Sequence, residues 1–181
     1  MITKKGLALA IALSAQAICA PALAAEPEDT LDRFRITEIM YKYAWVHNLT
    51  DPVGYSELFT EDGEFSGGGG PAIKGRAALA AMTESDRERF NPGAADGERS
   101  FMIMRTVITN PIVTLEGDGE ASGSCYFQII VERPNVGPDI LAQGRYEDTY
   151  RKEDGEWKIA HRSTFMDMAD MALAREVGVI E

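Results

Sequence analysis

The sequence predicts an α+β domain in which helices come first and antiparallel strands follow. In the first half, apolar residues recur at the spacing of a helix and form one broad face, namely Ile36, Ile39, Met40, Tyr43, Ala44 and His47. After residue 100 the apolar period changes to two, which is typical of strands with one buried face. Clusters of Gly, Pro and Asp separate these strands, at residues 117–119, 134–138 and 154–155. This order argues against the alternating elements of a parallel βαβ sheet.

Each predicted element has a local reason to begin or end where it does. Asp29 or Thr30 can cap the first helix, and Asp51 before Pro52 ends it, because the residue before a proline avoids helical geometry. The predicted helices cover residues 29–48, 52–59 and 74–90. The predicted strands cover residues 64–66, 101–115, 121–132, 140–152 and 156–168. The tail, residues 167–180, is apolar on one side, and we expect it to cover a pocket mouth or a neighbouring subunit.

Several common kinds of site are not indicated. The four glycines of residues 67–70 predict a flexible loop, and they lack the Gly-Lys-Ser/Thr ending of a phosphate-binding loop. No glycine fingerprint for a dinucleotide follows a strand, and no serine stands in a nucleophile elbow. The two histidines, His47 and His161, lie on different elements without a third clustered ligand. We therefore expect no metal and no cofactor, and a chemistry carried by side chains alone.

The N-terminus predicts a cleavable secretory signal over residues 1–24. Lys4 and Lys5 precede an apolar run, and Ala22 and Ala24 are the small residues that a signal peptidase reads. The run falls short of the roughly twenty residues that a membrane-spanning helix needs. Residues 25–181 would then form a single domain in a bacterial periplasm or outside the cell.

The chain is acidic, with 18 basic and 29 acidic residues and a formal net charge of −11. Such a surface repels nucleic acid and anionic membranes, so we expect neither as a partner. Cys19 would leave with the signal, and Cys125 lies in an apolar strand pattern, so we expect Cys125 to be a small buried hydrophobe. We also expect a homodimer or homotrimer, because the outer face of the sheet would otherwise expose apolar side chains.

Two segments of the chain resemble the SnoaL-like branch of the nuclear transport factor 2 (NTF2) superfamily. They are YAWVHNLTDPVGYSELFTEDGEF, residues 43–65, and GRYEDTYRKEDGEWKIAHR, residues 144–162. The resemblance implies an NTF2-like cone, in which three helices pack on a curved, mainly antiparallel sheet and enclose a hydrophobic pocket. Members of the superfamily include cofactor-free dehydratases, dehydrochlorinases, isomerases and binding proteins, so the resemblance implies the fold more strongly than the chemistry.

The resemblance also implies the place of a catalytic dyad, and this sequence lacks both of its members. In the SnoaL-like lyases an Asp at the end of the first helix pairs with a His on the first long strand, and the pair removes a proton from the substrate. Those positions fall on Asn48 and Thr106. Asn48 cannot ionise, and Thr106 is not a base near neutral pH.

Neighbouring residues could replace the dyad. By the resemblance, His47 stands where scytalone dehydratases have a pocket tyrosine, and Arg162 matches a pocket arginine of a dehydrochlorinase. The predicted catalytic residues are His47, Arg162, Tyr43, Asn48 and Thr106. The residues predicted to contact the substrate are Tyr55, Phe65, Met104, Tyr126 and Tyr146. A group that titrates near neutrality beside a fixed positive charge suits loss of a leaving group or stabilisation of a phenolate or enolate.

Purely structural interpretations stand beside these roles. A histidine on an apolar helix face, such as His47, is often a hydrogen-bonded core residue. Arg162 could pair with Asp148 or Glu147 across the hairpin, and the strand tyrosines could be core or interface residues. Because side chains alternate along a strand, His161 should face away from Arg162.

The sequence therefore predicts a cofactor-independent lyase that acts on a hydrophobic, aromatic, lignin-type small molecule by elimination, dehydration or release of formaldehyde. This preference rests on the superfamily resemblance and on the periplasmic address. One alternative is a non-catalytic protein that binds a small ligand in the same pocket. Another is a ketosteroid-type isomerase, for which Asp51 is the nearest candidate base.

Overall fold

The computed structural model describes residues 27–67, 69–91, 103–133 and 135–180. In chain order its elements are α1 (Pro27–Asn48), α2 (Pro52–Glu57), β1 (Phe59–Ser66), β2 (Ile73–Lys74), α3 (Arg76–Phe90), β3 (Met104–Gly117), β4 (Glu120–Arg133), β5 (Gly137–Glu153), β6 (Glu156–Ala169) and α4 (Met171–Glu176). The predicted α+β class is confirmed. The described residues contain four helices rather than three, because the tail forms α4. The predicted signal lies outside the described residues.

The six strands form one sheet in the order β2-β1-β6-β5-β4-β3. Strands β3 to β6 are an antiparallel meander. Strand β1 pairs with β2 antiparallel and with β6 parallel. The prediction of a mainly antiparallel sheet is confirmed. The sequence did not indicate the parallel pair, because period-two alternation reports which face of a strand is buried and not which strand lies beside it.

Strand β1 is longer than the sequence predicts. The polar stretch before Glu64 reads as a turn, yet the strand already begins at Phe59, which is fully buried and is the Cα partner of Ile159. The backbone N–H of Ile159 also donates to the carbonyl oxygen of Leu58 at 2.8 Å. Pairing with β6 therefore extends β1 across residues whose own sequence does not favour a strand.

The main core lies between the helices and the inner face of the sheet. Ile36, Met40 and Tyr43 of α1 are at most 2% exposed, and they belong to one cluster with Phe127 of β4. Cys125, beside Phe127, is 2% exposed, which confirms its predicted burial. The inner face of the sheet thus holds the apolar side chains that the alternation predicts.

A second, smaller cluster lies at the far end of the meander. It contains Met104, Val131, Leu141, Leu173 and Ala174. The tail contributes the last two of these, and Asp170 caps α4 by accepting hydrogen bonds from the backbone of Ala172 and Leu173. The tail therefore packs on the end of its own sheet. Among the described residues no helix is both long enough and apolar enough to cross a membrane.

Helix α1 covers the edge strand β3. Near the start of the helix, Arg33 Nη1 donates to the carbonyl oxygen of Val113. At its end, the side-chain amide of Asn48 bonds to the backbone of Thr106. Polar side chains from α1 thus occupy backbone groups that an edge strand would otherwise leave unpaired.

Candidate functional site

A buried ion pair lies on the inner face of the sheet. Arg162 of β6 and Asp148 of β5 are Cα partners in the antiparallel register. Nε and Nη2 of Arg162 donate to Asp148 at 2.8 and 2.6 Å, and neither side chain is exposed to solvent. The hydroxyl of Tyr150 also donates to Asp148 Oδ2, at 2.5 Å. Arg162 therefore forms the cross-hairpin ion pair that the structural interpretation allows, and it does so inside the protein.

Arg162 also lies against two aromatic rings. Its Cζ is 3.8 Å from the ring centroid of Tyr43 and 4.4 Å from that of Tyr146, close enough for cation–π attraction. Its Nη1 is buried and has no hydrogen-bond partner among the described residues. Burial lowers the pKa of Arg162 and Asp148 raises it, with a net upward direction, so the guanidinium stays charged. One charged N–H donor group is thus left for a further acceptor.

His47 reaches the same place from α1. Its ring stacks on that of Tyr43, with centroids 6.0 Å apart and the planes 5° from parallel. Burial, together with the positive charge of Arg162, lowers the pKa of His47 to about 4. The imidazole is therefore neutral at pH 7. Its Nδ1 is buried without a hydrogen-bond partner in the described part of the chain.

Two tyrosines complete the cluster. The hydroxyl oxygens of Tyr43 and Tyr55 are 3.1 Å apart and share a hydrogen bond. Burial raises the pKa of both phenols, so both are neutral at pH 7. We call the set His47, Tyr43, Tyr55, Tyr146 and Arg162 the inner cluster. It combines one neutral base, the three phenols of the tyrosines and one cation, and apolar side chains of the main core surround it.

Asn48 and Thr106 lie next to each other, as the positions of the missing dyad require, but the side-chain amide of Asn48 is fully engaged by the backbone of Thr106. Asn48 Nδ2 donates to the carbonyl oxygen of Thr106 at 2.9 Å, and Asn48 Oδ1 accepts from the backbone N–H of Thr106 at 2.7 Å. Both residues are buried. The amide of Asn48 thus pairs with β3 as a neighbouring strand would, and its geometry is that of a structural clamp rather than an acid or base.

The residues predicted to contact the substrate do not all lie at one site. Tyr55 and Tyr146 belong to the inner cluster, and Phe65 packs against the main core as the Cα partner of Arg162. Met104 instead belongs to the second cluster, at the end of the meander. Tyr126 is 55% exposed on the outer face. Alternation is the reason, because Cys125 and Phe127 on either side of Tyr126 point inward.

The structure adds Thr164, which the sequence did not single out. Thr164 follows Arg162 by two residues on β6 and is the Cα partner of Tyr146, so it lies on the same inner face. Its Oγ1 is buried and has no partner among the described residues. The available signal was the strand period, because any residue two positions from an inward Arg162 should also face inward.

His161 lies on the outer face, as the alternation predicts. Its Nε2 is 3.0 Å from Ser66 Oγ, and a carboxylate oxygen of Glu64 lies 3.9 Å from the same nitrogen. In a catalytic triad the serine and the carboxylate bond to different nitrogens of the histidine ring. Here Ser66 and Glu64 both lie near Nε2 of His161, so these three residues do not form a catalytic triad.

Asp51 does not support the isomerase alternative. Its side chain accepts from the backbone N–H of Gly54 at 3.0 Å and caps α2. Across residues 27–67, 69–91, 103–133 and 135–180, no three His, Cys, Asp or Glu side chains converge as metal ligands do. The absence of a metal from the working protein stays a prediction.

Comparisons with known proteins agree with this fold. Residues 28–163 match the SnoaL-like domain family. A variant of Rv3472 from Mycobacterium tuberculosis, described as a protein of unknown function, is 28% identical with a TM-score of 0.68, over 86% of this chain and 90% of that one. A putative scytalone dehydratase from Novosphingobium aromaticivorans is 25% identical with a TM-score of 0.63, over 78% and 88%. ActVI-ORFA from Streptomyces coelicolor, 22% identical with a TM-score of 0.61 over 74% and 96%, shares the fold. No protein with a curated description matches significantly.

Proposed function

The chain belongs to the SnoaL-like domain family, and on this premise we propose that it is a cofactor-independent lyase acting on a hydrophobic, aromatic small molecule. One observation carries the proposal. Arg162 Nη1 and His47 Nδ1 are buried without hydrogen-bond partners in the described residues, and both residues lie against the ring of Tyr43. A cation and a neutral base at one aromatic ring are the groups that an elimination needs.

The relatives support elimination more than they support a particular substrate. One of them is described as a putative scytalone dehydratase, and dehydration is an elimination. None of the relatives named here is described as acting on a lignin-derived compound. Lignin-type dimers therefore remain one substrate class to test, and the proposal commits to aromatic compounds in general.

In the proposed reaction the substrate carries a carbonyl and, two carbons away, a leaving hydroxyl. In the tautomer protonated at Nε2, His47 Nδ1 has a lone pair, and it accepts the proton from the carbon beside the carbonyl. The electrons of that C–H bond form an enolate, whose oxygen accepts a hydrogen bond from Arg162 Nη1 and whose charge is balanced by the imidazolium formed on His47 in the same step. The enolate then expels the hydroxyl as a C=C bond forms, and the hydroxyl takes a proton from the pair of Tyr43 and Tyr55. The proton on His47 returns to the phenolate, and water leaves.

A second candidate function is binding without chemistry. It is favoured by the clamp between Asn48 and Thr106 and by the ion pair of Arg162, because both engage groups that a catalytic site would leave free. Under this alternative the inner cluster holds an aromatic ligand and releases it unchanged.

The decisive experiment is an assay of residues 25–181, without added cofactor, against aromatic β-hydroxyketones and lignin-type dimers, with products followed by mass spectrometry. His47→Gln should lower turnover by on the order of 10²-fold or more, the scale for removing an acid–base group. His161→Gln is the matched control, because His161 lies on the outer face, and it should retain wild-type turnover. Binding without any product would favour the second candidate.

The pH profile tests the role of His47 separately. Because the pKa of His47 is lowered to about 4, kcat/KM should stay level from pH 8 to about pH 5 and fall below about pH 4. A fall centred near pH 6.5, the ordinary value for histidine, would contradict the assignment.

We also propose, from the sequence, a secretory signal over residues 1–24, a periplasmic or extracellular location, and a homodimer or homotrimer.

A further inference from the structure

The positive charge of the inner cluster is already balanced by Asp148, which pairs with Arg162. Asp148 accepts two hydrogen bonds from Arg162 and one from Tyr150, and the side chains of Arg162 and Asp148 are fully buried. The remaining titratable groups around them, which are His47, Cys125 and the tyrosines, are neutral at pH 7, since burial lowers the pKa of His47 to about 4 and raises that of Cys125 to about 12. One cation and one anion therefore share this interior.

A second buried anion would lack a counter-charge. Transfer of an ion from water into a protein interior costs several kcal/mol unless an opposite charge and hydrogen bonds compensate. Arg162 cannot supply that compensation in full, because two of its nitrogens are bound to Asp148. An uncharged ligand with an oxygen acceptor meets no such cost, and it can still accept a hydrogen bond from Arg162 Nη1.

Thr164 provides a second donor on the same face. It lies two residues from Arg162 along β6, which places the two Cα atoms about 7 Å apart, a distance that a small ligand spans. Its Oγ1 is buried and unpartnered in the described residues, and a hydroxyl can donate as well as accept. Gly67 lies against it, since a Cβ added at Gly67 would be 3.0 Å from Thr164 Cβ and 3.2 Å from Phe65 Cζ.

We propose that the inner cluster selects uncharged aromatic carbonyl compounds, and that Thr164 is a specificity residue that hydrogen-bonds to the ligand beside Arg162. The inference rests on the proposed function in taking the inner cluster as the ligand site, but it concerns binding and not turnover. Thr164 then distinguishes ligands by their oxygen, while the rings of Tyr43, Tyr146 and Phe65 contact their aromatic part.

The test is calorimetric binding of three matched probes to residues 25–181: 2-acetylnaphthalene, 2-ethylnaphthalene, which lacks the carbonyl, and 2-naphthoate, which is an anion. We expect 2-acetylnaphthalene to bind most tightly. Thr164→Val keeps the shape of the side chain and removes the hydroxyl, so it should weaken 2-acetylnaphthalene binding by about 2- to 10-fold, the effect of one neutral hydrogen bond, and leave 2-ethylnaphthalene unchanged. Thr149→Val, on the exposed outer face, is the matched control and should alter neither affinity.

The inference is overturned if 2-naphthoate binds best, if Thr164→Val weakens both neutral probes equally, or if none of the three binds. These results differ from a failure of the proposed function. A protein that binds 2-acetylnaphthalene selectively through Thr164 and turns over no substrate would support the inference and refute the lyase.

Discussion

Substitution of Asp148 by Asn should destabilise the protein strongly, because it leaves Arg162 charged, buried and without its counter-ion. Asn has nearly the shape of Asp, so the change removes charge with little loss of volume. In the wild type, Asp148 accepts hydrogen bonds at 2.8 and 2.6 Å from Arg162 and at 2.5 Å from Tyr150. Neither Arg162 nor Asp148 has any side-chain exposure, so water cannot replace the lost carboxylate.

The size of the effect follows from this burial. Removing one partner of a buried ion pair costs about 3–5 kcal/mol. A domain of this length loses about 2–4 °C in melting temperature for each kcal/mol, so Asp148→Asn should melt roughly 10 °C or more below the wild type. Thermal unfolding followed by circular dichroism measures the difference, with urea unfolding for the free energy.

Asp62→Asn is the matched control. Asp62 forms an ion pair of 2.6 Å with Arg151, as short as the shorter contact of the buried pair, but its side chain is 64% exposed. Screening by water makes such a pair nearly neutral for stability, so this variant should melt close to the wild type. Equal melting temperatures for Asp148→Asn and Asp62→Asn would refute the argument that burial makes the inner pair critical.

Three further predictions address other parts of the molecule. The pKa of His47 is about 4 in the folded state, below the ordinary histidine value of 6.5, because its side chain is buried. As the pH falls the unfolded chain therefore binds the proton first, and the free energy of unfolding should decrease by on the order of 3 kcal/mol from pH 6.5 to pH 4. Urea unfolding should show that His47→Gln removes this loss and that His161→Gln does not. Gly144→Ala should abolish soluble folded protein, because the added Cβ would lie 2.0 Å from the carbonyl oxygen of Phe165. Gly70→Ala should express normally, because no atom of the described residues lies within 4 Å of its added Cβ. Intact-mass analysis of protein exported by a bacterial host should give a chain that begins near Ala25, and retention of residues 1–24 would contradict the predicted signal.

The sequence by itself determined the fold class and the direction of most strand side chains. A period near 3.6 put Tyr43 and His47 on the inner face of α1, and a period of two put Arg162 and His161 on opposite faces of β6. These are local properties, since they depend only on the geometry of one helix or one strand. They put His47 on the apolar face of α1 and separated Arg162 from His161, whereas the inward direction of Arg162 was implied by the family resemblance.

The sequence could not decide which of two alternating faces lies inside. Tyr126 and Tyr146 have similar strand surroundings in the sequence, yet Tyr126 is 55% exposed and Tyr146 only 6%. A one-residue change in pairing would exchange the two faces of a strand, so the register with neighbouring strands makes this choice. Met104 shows a related limit. The alternation can predict that its side chain is buried, but not that it packs in the second cluster rather than beside Arg162.

Only the tertiary structure decided how the polar side chains are used. The clamp from Asn48 to Thr106 joins residues 58 apart in the chain, and the pair of Asp148 and Arg162 depends on the register of β5 with β6. Each contact requires two distant backbones to meet within hydrogen-bond distance, and no local pattern encodes that distance. The sequence thus determined which groups are present on the inner face, whereas packing determined that Asn48 is bound and that Arg162 Nη1, His47 Nδ1 and Thr164 Oγ1 have no hydrogen-bond partner within the described part of the chain.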